Sequence, residues 1–139
     1  MSWKTIGELS LFGLAMGIAT VFVIPSNIEP LFWLVIFATS AYVIARRCSD
    51  RQFVHGLLVG LANCVWVTGA HVLFLHQYVA NHPQEAAMMS SMPLPDSPRL
   101  MMAMVGPVVG SVSGAVIGLF AVVAGKLLRR SPATVAPGR

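Results

Sequence analysis

Charged side chains are scarce in this chain of 139 residues, which has 9 Lys and Arg and 5 Asp and Glu, or 10% of the chain. Hydrophobic residues make up 56%, and the mean hydropathy is +0.76. A folded domain in water needs many more polar side chains on its surface, and a disordered chain is less hydrophobic. The composition therefore excludes soluble, nucleic-acid-binding and disordered proteins and predicts a membrane protein.

Cysteine is also rare, and the motifs of common enzyme classes are absent. The two cysteines, Cys48 and Cys64, fall in a predicted loop and at mid-membrane depth, too far apart for a disulfide. The sequence contains no His-Glu-x-x-His zinc motif, no Gly-x-Ser-x-Gly nucleophile motif and no phosphate-binding loop. No pair of carboxylates falls inside a hydrophobic stretch. We therefore expect no enzymatic activity and no cofactor.

Four hydrophobic stretches are long enough to cross a bilayer, which takes about 20 mainly apolar residues. The first ends before Pro25, and the second begins at Pro30, a residue favoured in the first helical turn. The fourth contains Pro107, which predicts a kink or a later start of that helix. The sequence thus predicts an all-α membrane protein, a single domain of four transmembrane helices packed as a small bundle. The predicted spans are residues 6–24, 30–45, 53–78 and 100–125.

Basic residues lie almost entirely on one side of the predicted bundle, and Lys and Arg in short loops stay in the cytoplasm. The opposite side has only Arg99. We therefore expect a multi-pass protein of the bacterial inner membrane, with cytoplasmic N and C termini and a flexible tail over residues 126–139. This topology accounts for the net charge of +4 without a nucleic-acid partner. The residues predicted to be cytoplasmic are Lys4, Arg46, Arg47, Arg51, Lys126, Arg129, Arg130 and Arg139.

Small residues at every fourth position mark helix-packing faces, because they let two helix backbones approach closely in a bilayer. The fourth span has four glycines at this spacing, and the first and third spans have one pair each. The spacing leaves open whether they pack within one chain or between subunits. Since these motifs are the most specific in the sequence, we expect a non-enzymatic protein that associates with itself or with partner membrane proteins. The glycines are Gly13, Gly17, Gly56, Gly60, Gly106, Gly110, Gly114 and Gly118.

The third span carries a polar face, on which Asn63, His71, Tyr78 and His82 share one side of the predicted helix. Polar groups at membrane depth are costly unless they are partnered or face a wet cavity. Asn63 then binds either a neighbouring helix or a solute, and His71 is either an interfacial histidine or a proton-relay group. The alternative function is a small oligomeric transporter or channel that uses these four residues as its polar pathway.

Methionine is concentrated in and after the loop between the third and fourth spans. Six of the eight methionines lie between residues 88 and 104. His82-Pro83 at the start of the loop predicts a short amphipathic helix on the membrane surface. Thioethers and imidazoles suit Cu(I), although methionine is also an ordinary filler of apolar surfaces. Copper handling outside the cytoplasm is therefore a weaker alternative. Its candidate ligands are His82, Glu85, Met88, Met89 and Met92.

Overall fold

The computed structural model describes residues 1–130, which form helices and no β-strand. The helices are α1 (Trp3–Phe22), α2 (Glu29–Arg47), α3 (Gln52–Leu73), α4 (Leu75–Asn81), α5 (Pro83–Ser90) and α6 (Pro98–Arg130). Among them, α1, α2, α3 and α6 are long and apolar enough to cross a membrane. The prediction of an all-helical chain with four apolar helices of spanning length is therefore confirmed.

Local sequence explains where the first two helices begin and end. Ser2 caps α1, and its Oγ accepts a hydrogen bond from the backbone amide of Thr5. Pro25 follows the end of α1, whereas Pro30 lies in the first turn of α2, where a missing N–H costs no helical hydrogen bond. Two arginines in the last turn of α2 face the partial negative charge of that helix end.

The predicted third span, residues 53–78, is divided into α3 and α4 at Phe74. No proline or glycine lies at the break. Its physical basis is the contact that α4 makes with the end of α1, where the side-chain amide of Asn81 donates a hydrogen bond of 2.6 Å to the carbonyl of Val21. Tyr78 is buried against the same part of α1. The break thus brings Tyr78 of α4 inward, whereas His76 and Gln77 stay exposed.

The long helix α6 passes through Pro107 without interruption. It begins at Pro98, so the later start that the sequence allowed does not occur. Pro107 has no amide hydrogen to donate, and its own carbonyl accepts a second bond from Ser111 Oγ at 2.7 Å. Of the predicted flexible tail, residues 126–130 are part of α6, and residues 131–139 lie outside the described part of the chain.

Polar contacts gather one set of helix ends together. The backbone amide of Ser2 donates to His55 Nε2 at 2.9 Å, and Arg47 pairs with Glu8 at 2.6 Å. The last turns of α6 join them through Arg129, which donates to a carbonyl in the connection between α2 and α3. This part of the molecule, formed by residues 1–8, 46–55 and 122–130, is called the basic end below.

The remaining helix ends meet at the other end of the molecule. Ser26, between α1 and α2, donates a hydrogen bond of 2.9 Å to Glu85 Oε2 on α5. The guanidinium of Arg99 at the start of α6 donates to the carbonyl of Val72 near the end of α3. This part, formed by residues 21–30 and 72–104, is called the methionine end. An apolar cluster extends from the basic end toward the middle of the helices, and it includes Ile6, Leu9, Ala41, Ile44, Cys48, Val59, Ile117 and Ala121.

Helices α3 and α6 pack along each other through glycine. A Cβ atom added at Gly56 or at Gly60 would overlap the backbone of Gly118 or of Gly114, respectively. A Cβ at Gly114 would come within 2.6 Å of a carbonyl oxygen on α3. Since no side chain fits between the two backbones, glycine is required for this close approach.

The other predicted packing glycines also contact residues of the same chain. A Cβ at Gly13 on α1 would lie 2.5 Å from the Cα of Asn63, and one at Gly17 would lie 3.1 Å from the Cα of Val67. On α6, Gly106 faces Thr68 and Gly110 faces Cys64. All eight glycines therefore lie against neighbouring helices of their own chain, α3 with α1 on one side and with α6 on the other.

Candidate functional site

Asn63 is buried between α1 and α3, with 4% of its surface exposed. Its Oδ1 accepts a hydrogen bond of 3.1 Å from the backbone amide of Gly13. The Nδ2 amide group of the same side chain is buried and has no hydrogen-bond partner. One half of the side chain thus holds two helices together, while the other half offers a free donor at the depth of the helix middle.

His71 lies near the end of α3 and contacts α1. Its Nε2 is 2.9 Å from Thr20 Oγ1, and that hydroxyl is also within hydrogen-bond distance of the carbonyl of Met16, at 2.8 Å. The hydroxyl has a single hydrogen for the Met16 carbonyl or the imidazole, so the tautomer of His71 sets the direction of the bond between the two side chains. This contact joins α1 and α3 next to the methionine end.

Three rings form a stack that crosses the break between α3 and α4. The ring centroids of His71 and Tyr78 are 4.0 Å apart, and those of Tyr78 and His82 are 4.4 Å apart. The interplanar angles are 24° and 20°. The predicted polar pathway residues of this end are thus brought together, but through ring faces instead of along one straight helix.

His82 is fully buried at the end of this stack. Its Nδ1 donates to the carbonyl of Tyr78 at 3.0 Å, and its Nε2 has no hydrogen-bond partner. That nitrogen lies 3.7 Å from Glu29 Oε2, which is beyond hydrogen-bond distance. The other oxygen of the same carboxylate accepts a bond of 3.0 Å from Trp33 Nε1. Glu29 is therefore held by Trp33 with one oxygen left free.

Glu85 is the second acidic residue here, in the first turn of α5. Its Oε2 accepts the hydrogen bond from Ser26, and the side chain is partly buried. Burial raises the pKa of Tyr78 to about 12, and the carboxylates of Glu29 and Glu85 add to the shift. Both carboxylates therefore act on the same phenol, which places a region of negative potential beside the ring stack.

A cavity of about 720 Å³ lies between α2, α3, α5 and α6, and is called the central cavity. It extends from the methionine end to the middle of the helices, where Gly60 and Ile117 line it. Most of its lining is apolar. Its polar lining residues are Ser26, Glu29, Asn63, Thr68, His71, Tyr78, Glu85 and Ser113, and its apolar ones include Trp33, Leu34, Phe37, Val67, Met88, Met89, Met92, Met101, Met102, Val105 and Val109.

The central cavity contains most of the residues that the sequence singled out. Asn63, His71 and Tyr78 line it, whereas His82 lies behind the ring stack and is not part of the lining. Sequence reasoning missed Glu29 and the aromatic residues of α2. The only available signal for Glu29 was topological, since the predicted loops place it on the same side of the membrane as Glu85.

The copper hypothesis rests on methionines that do share one surface. Met88, Met89 and Met92 line the central cavity beside Glu85. Over residues 1–130, no three His, Cys, Asp or Glu side chains come together in a way that suits a metal ion. The methionine ligands therefore stay a prediction. Comparison of the chain with protein-family models, curated proteins and solved structures finds no match.

Proposed function

We propose that this protein is a small transporter that binds an amphipathic solute in the central cavity and moves it across the bacterial inner membrane. The four apolar helices would span the bilayer, with the basic end and both termini in the cytoplasm, following the distribution of Lys and Arg. The central cavity would then open toward the outside. The proposal narrows the alternative interpretation of the sequence, which was a small oligomeric transporter or channel using the polar face of the third span.

The observation that carries the proposal is the central cavity together with the free Nδ2 group of Asn63. Ligand sites are typically apolar cavities of about 300–1,000 Å³ with a few polar groups that orient the ligand. Here, Asn63, whose Nδ2 is a buried donor without a partner, is among the lining residues of such a cavity. An unpartnered polar group at membrane depth costs free energy, which a bound solute or water would recover.

The closed end of the cavity also supports transport. Between the deep end of the cavity and the basic end, helices are in backbone contact at Gly56 and Gly118 and are sealed by the apolar cluster around Ile44 and Val59. Alternating access requires a carrier to be closed on one side at a time, and this contact would close the cytoplasmic side. Release into the cytoplasm would need this contact to open.

Self-association through glycine, the function expected first from sequence, has less support. The eight glycines already contact helices of the same chain, so they do not form an unoccupied face for a second subunit. Association through other surfaces would be compatible with transport, since each subunit contains its own cavity.

The test uses two tryptophan substitutions on α6. Val109 lines the central cavity, whereas Val112 does not, although their side chains are similarly exposed, at 55% and 62%. We expect Val109→Trp to fill the cavity and to reduce binding of a neutral fluorescent probe, N-phenylnaphthylamine, at least about tenfold, a change of about 1.4 kcal/mol. The control Val112→Trp should bind the probe normally, and purified protein in mild detergent serves both measurements.

Transport itself is measured as probe flux in proteoliposomes. We expect flux in the wild-type protein, none above background in Val109→Trp, and normal flux in Val112→Trp. Equal binding and equal flux in the two variants would contradict a role for the central cavity. Binding without any flux would leave a receptor or carrier of a bound molecule and would refute transport.

A further inference from the structure

The charges on the central cavity are all of one sign. Its charged lining residues within the described part of the chain are Glu29 and Glu85, and it is not lined by Lys or Arg. Arg99, which belongs to the same end, donates to the carbonyl of Val72 and does not line the cavity. In a region of low dielectric constant, carboxylates without a Lys or Arg partner attract a cation strongly. The basic residues near them are histidines: His71 lines the cavity, and His82 Nε2 lies 3.7 Å from Glu29 Oε2.

Each carboxylate keeps free acceptor capacity. Glu29 uses Oε1 for the bond from Trp33, and its Oε2 has no hydrogen bond to His82 Nε2 at 3.7 Å. Glu85 uses Oε2 for the bond from Ser26. A carboxylate has two oxygens and about four acceptor positions, so both groups can accept a further donor or pair with a positive charge.

Aromatic rings lie next to the carboxylates. Trp33 and Phe37, one turn apart on α2, have ring centroids 6.0 Å from each other, and both line the central cavity with Tyr78. The faces of such rings attract cations, and their apolar surface accepts an aliphatic or aromatic body. A small hydrated inorganic ion would gain little from this lining.

We propose that the solute of the central cavity is a hydrophobic organic cation, whose charge lies at Glu29 and Glu85 and whose apolar body extends along α2 and α6 toward Asn63. This inference rests on the proposed function, because it names the class of solute that the cavity takes. Charge complementarity at one end and apolar lining over the rest of the cavity select a ligand that is positive at one point and hydrophobic elsewhere.

The experiment compares two ions of equal shape and opposite charge, tetraphenylphosphonium and tetraphenylborate. Binding of each to the full-length protein in mild detergent is measured by equilibrium dialysis. We expect the phosphonium to bind at least about tenfold more tightly than the borate, which is about 1.4 kcal/mol. A borate that binds as tightly as the phosphonium would overturn the proposal.

Acid-to-amide substitutions locate the charge. Glu85→Gln and Glu29→Gln should each weaken phosphonium binding about tenfold or more and should leave borate binding unchanged or tighter. Asp96→Asn removes one negative charge from an exposed position of the same end that does not line the cavity, so it should change neither. Glu29→Asp, which keeps the charge, should recover part of the phosphonium affinity.

Failure of this proposal differs from failure of the proposed function. If Val109→Trp abolishes binding of the neutral probe while Glu29→Gln and Glu85→Gln leave phosphonium binding unchanged, the cavity binds solutes but not through its carboxylates. If neither ion nor the neutral probe binds, both proposals are wrong. Glu85 lies on the short helix α5, which contains no buried residue, so Glu85→Gln should fold. It therefore tests the role of the carboxylates even if Glu29→Gln does not fold.

Discussion

Gly60 on α3 and Gly114 on α6 are in direct backbone contact, so that a Cβ atom at Gly60 would overlap the Cα and amide nitrogen of Gly114. A methyl group at this point must push the two helices apart. We expect Gly60→Ala to destabilise the protein by about 1–3 kcal/mol, the usual cost of overpacking an interior. The measurement is the thermal unfolding temperature of the purified protein in detergent.

Gly69 is the matched control on the same helix. A Cβ at Gly69 meets nothing within 4 Å. Gly69→Ala should therefore be neutral or stabilising by up to about 1 kcal/mol, because alanine is the better helix former. If both alanine variants unfold at the wild-type temperature, the close contact of α3 with α6 is wrong.

The close approach of α3 and α6 could be predicted in part, because glycines spaced four residues apart indicate the helix face that another backbone can approach closely. The spacing of Gly56 and Gly60 does not show which helix packs against them. Only the structure shows that Gly118 and Gly114 of α6 lie opposite. Apolar length likewise predicts α1, α2, α3 and α6, since a helix satisfies its own backbone hydrogen bonds and the hydropathy of its side chains is given by local sequence.

The central cavity was beyond prediction because it depends on how far apart helices lie. Glu29 precedes Pro30 at a helix start, and nothing in the periodicity of α2 indicates that it faces His82 on another segment. The break at Phe74 was missed for a similar reason. It is stabilised by the long-range hydrogen bond from Asn81 to the end of α1, and the sequence has no proline or glycine at the break to indicate it.

Thr20 on α1 makes the hydrogen bond that joins this helix to His71 on α3. Its hydroxyl is hydrogen-bonded to His71 Nε2 at 2.9 Å, and the residue is fully buried. Thr20→Val keeps the shape but removes the hydroxyl, so we expect a loss of about 0.5–1.5 kcal/mol in the free energy of unfolding. Thr20→Ser should retain most of it. Thr39 on α2 is exposed, so Thr39→Val is the control and should not change the free energy of unfolding measured in detergent.

Met89 and Met102 act as apolar filling. Both are partly buried and pack against the cluster of Val21, Ala70 and Tyr78. Leucine has a similar volume, so the double variant Met89→Leu/Met102→Leu should unfold within about 1.5 kcal/mol of wild type. Phosphonium binding should also persist within about threefold. Tight Cu(I) binding by wild type that is lost after changing Met88, Met89 and Met92 to leucine would instead support copper handling.

The thiol of Cys48 should react slowly with alkylating reagents. Only 5% of its surface is exposed, and burial, followed by the carboxylate of Asp50, raises the pKa of the Cys48 thiol. Because the thiolate is the reactive form, less of it is present at a given pH, and alkylation should accelerate only at a higher pH than for an exposed thiol. The check is the alkylation rate of Cys48 against pH in detergent, compared with Asp50→Cys in a chain with Cys48 and Cys64 replaced by alanine. Equal rates at every pH would contradict the burial of Cys48.

The orientation of the protein can be read from engineered thiols at the two ends. Asp50 at the basic end and Ser91 at the methionine end are both exposed. In the same cysteine-free background, an impermeant maleimide applied to intact bacterial cells should label Ser91→Cys at once. It should label Asp50→Cys only after the cells are permeabilised, because the distribution of Lys and Arg predicts that the basic end lies in the cytoplasm. Immediate labelling of Asp50→Cys, with Ser91→Cys protected, would show that the protein has the opposite orientation in the membrane. The methionine end and the central cavity would then face the cytoplasm.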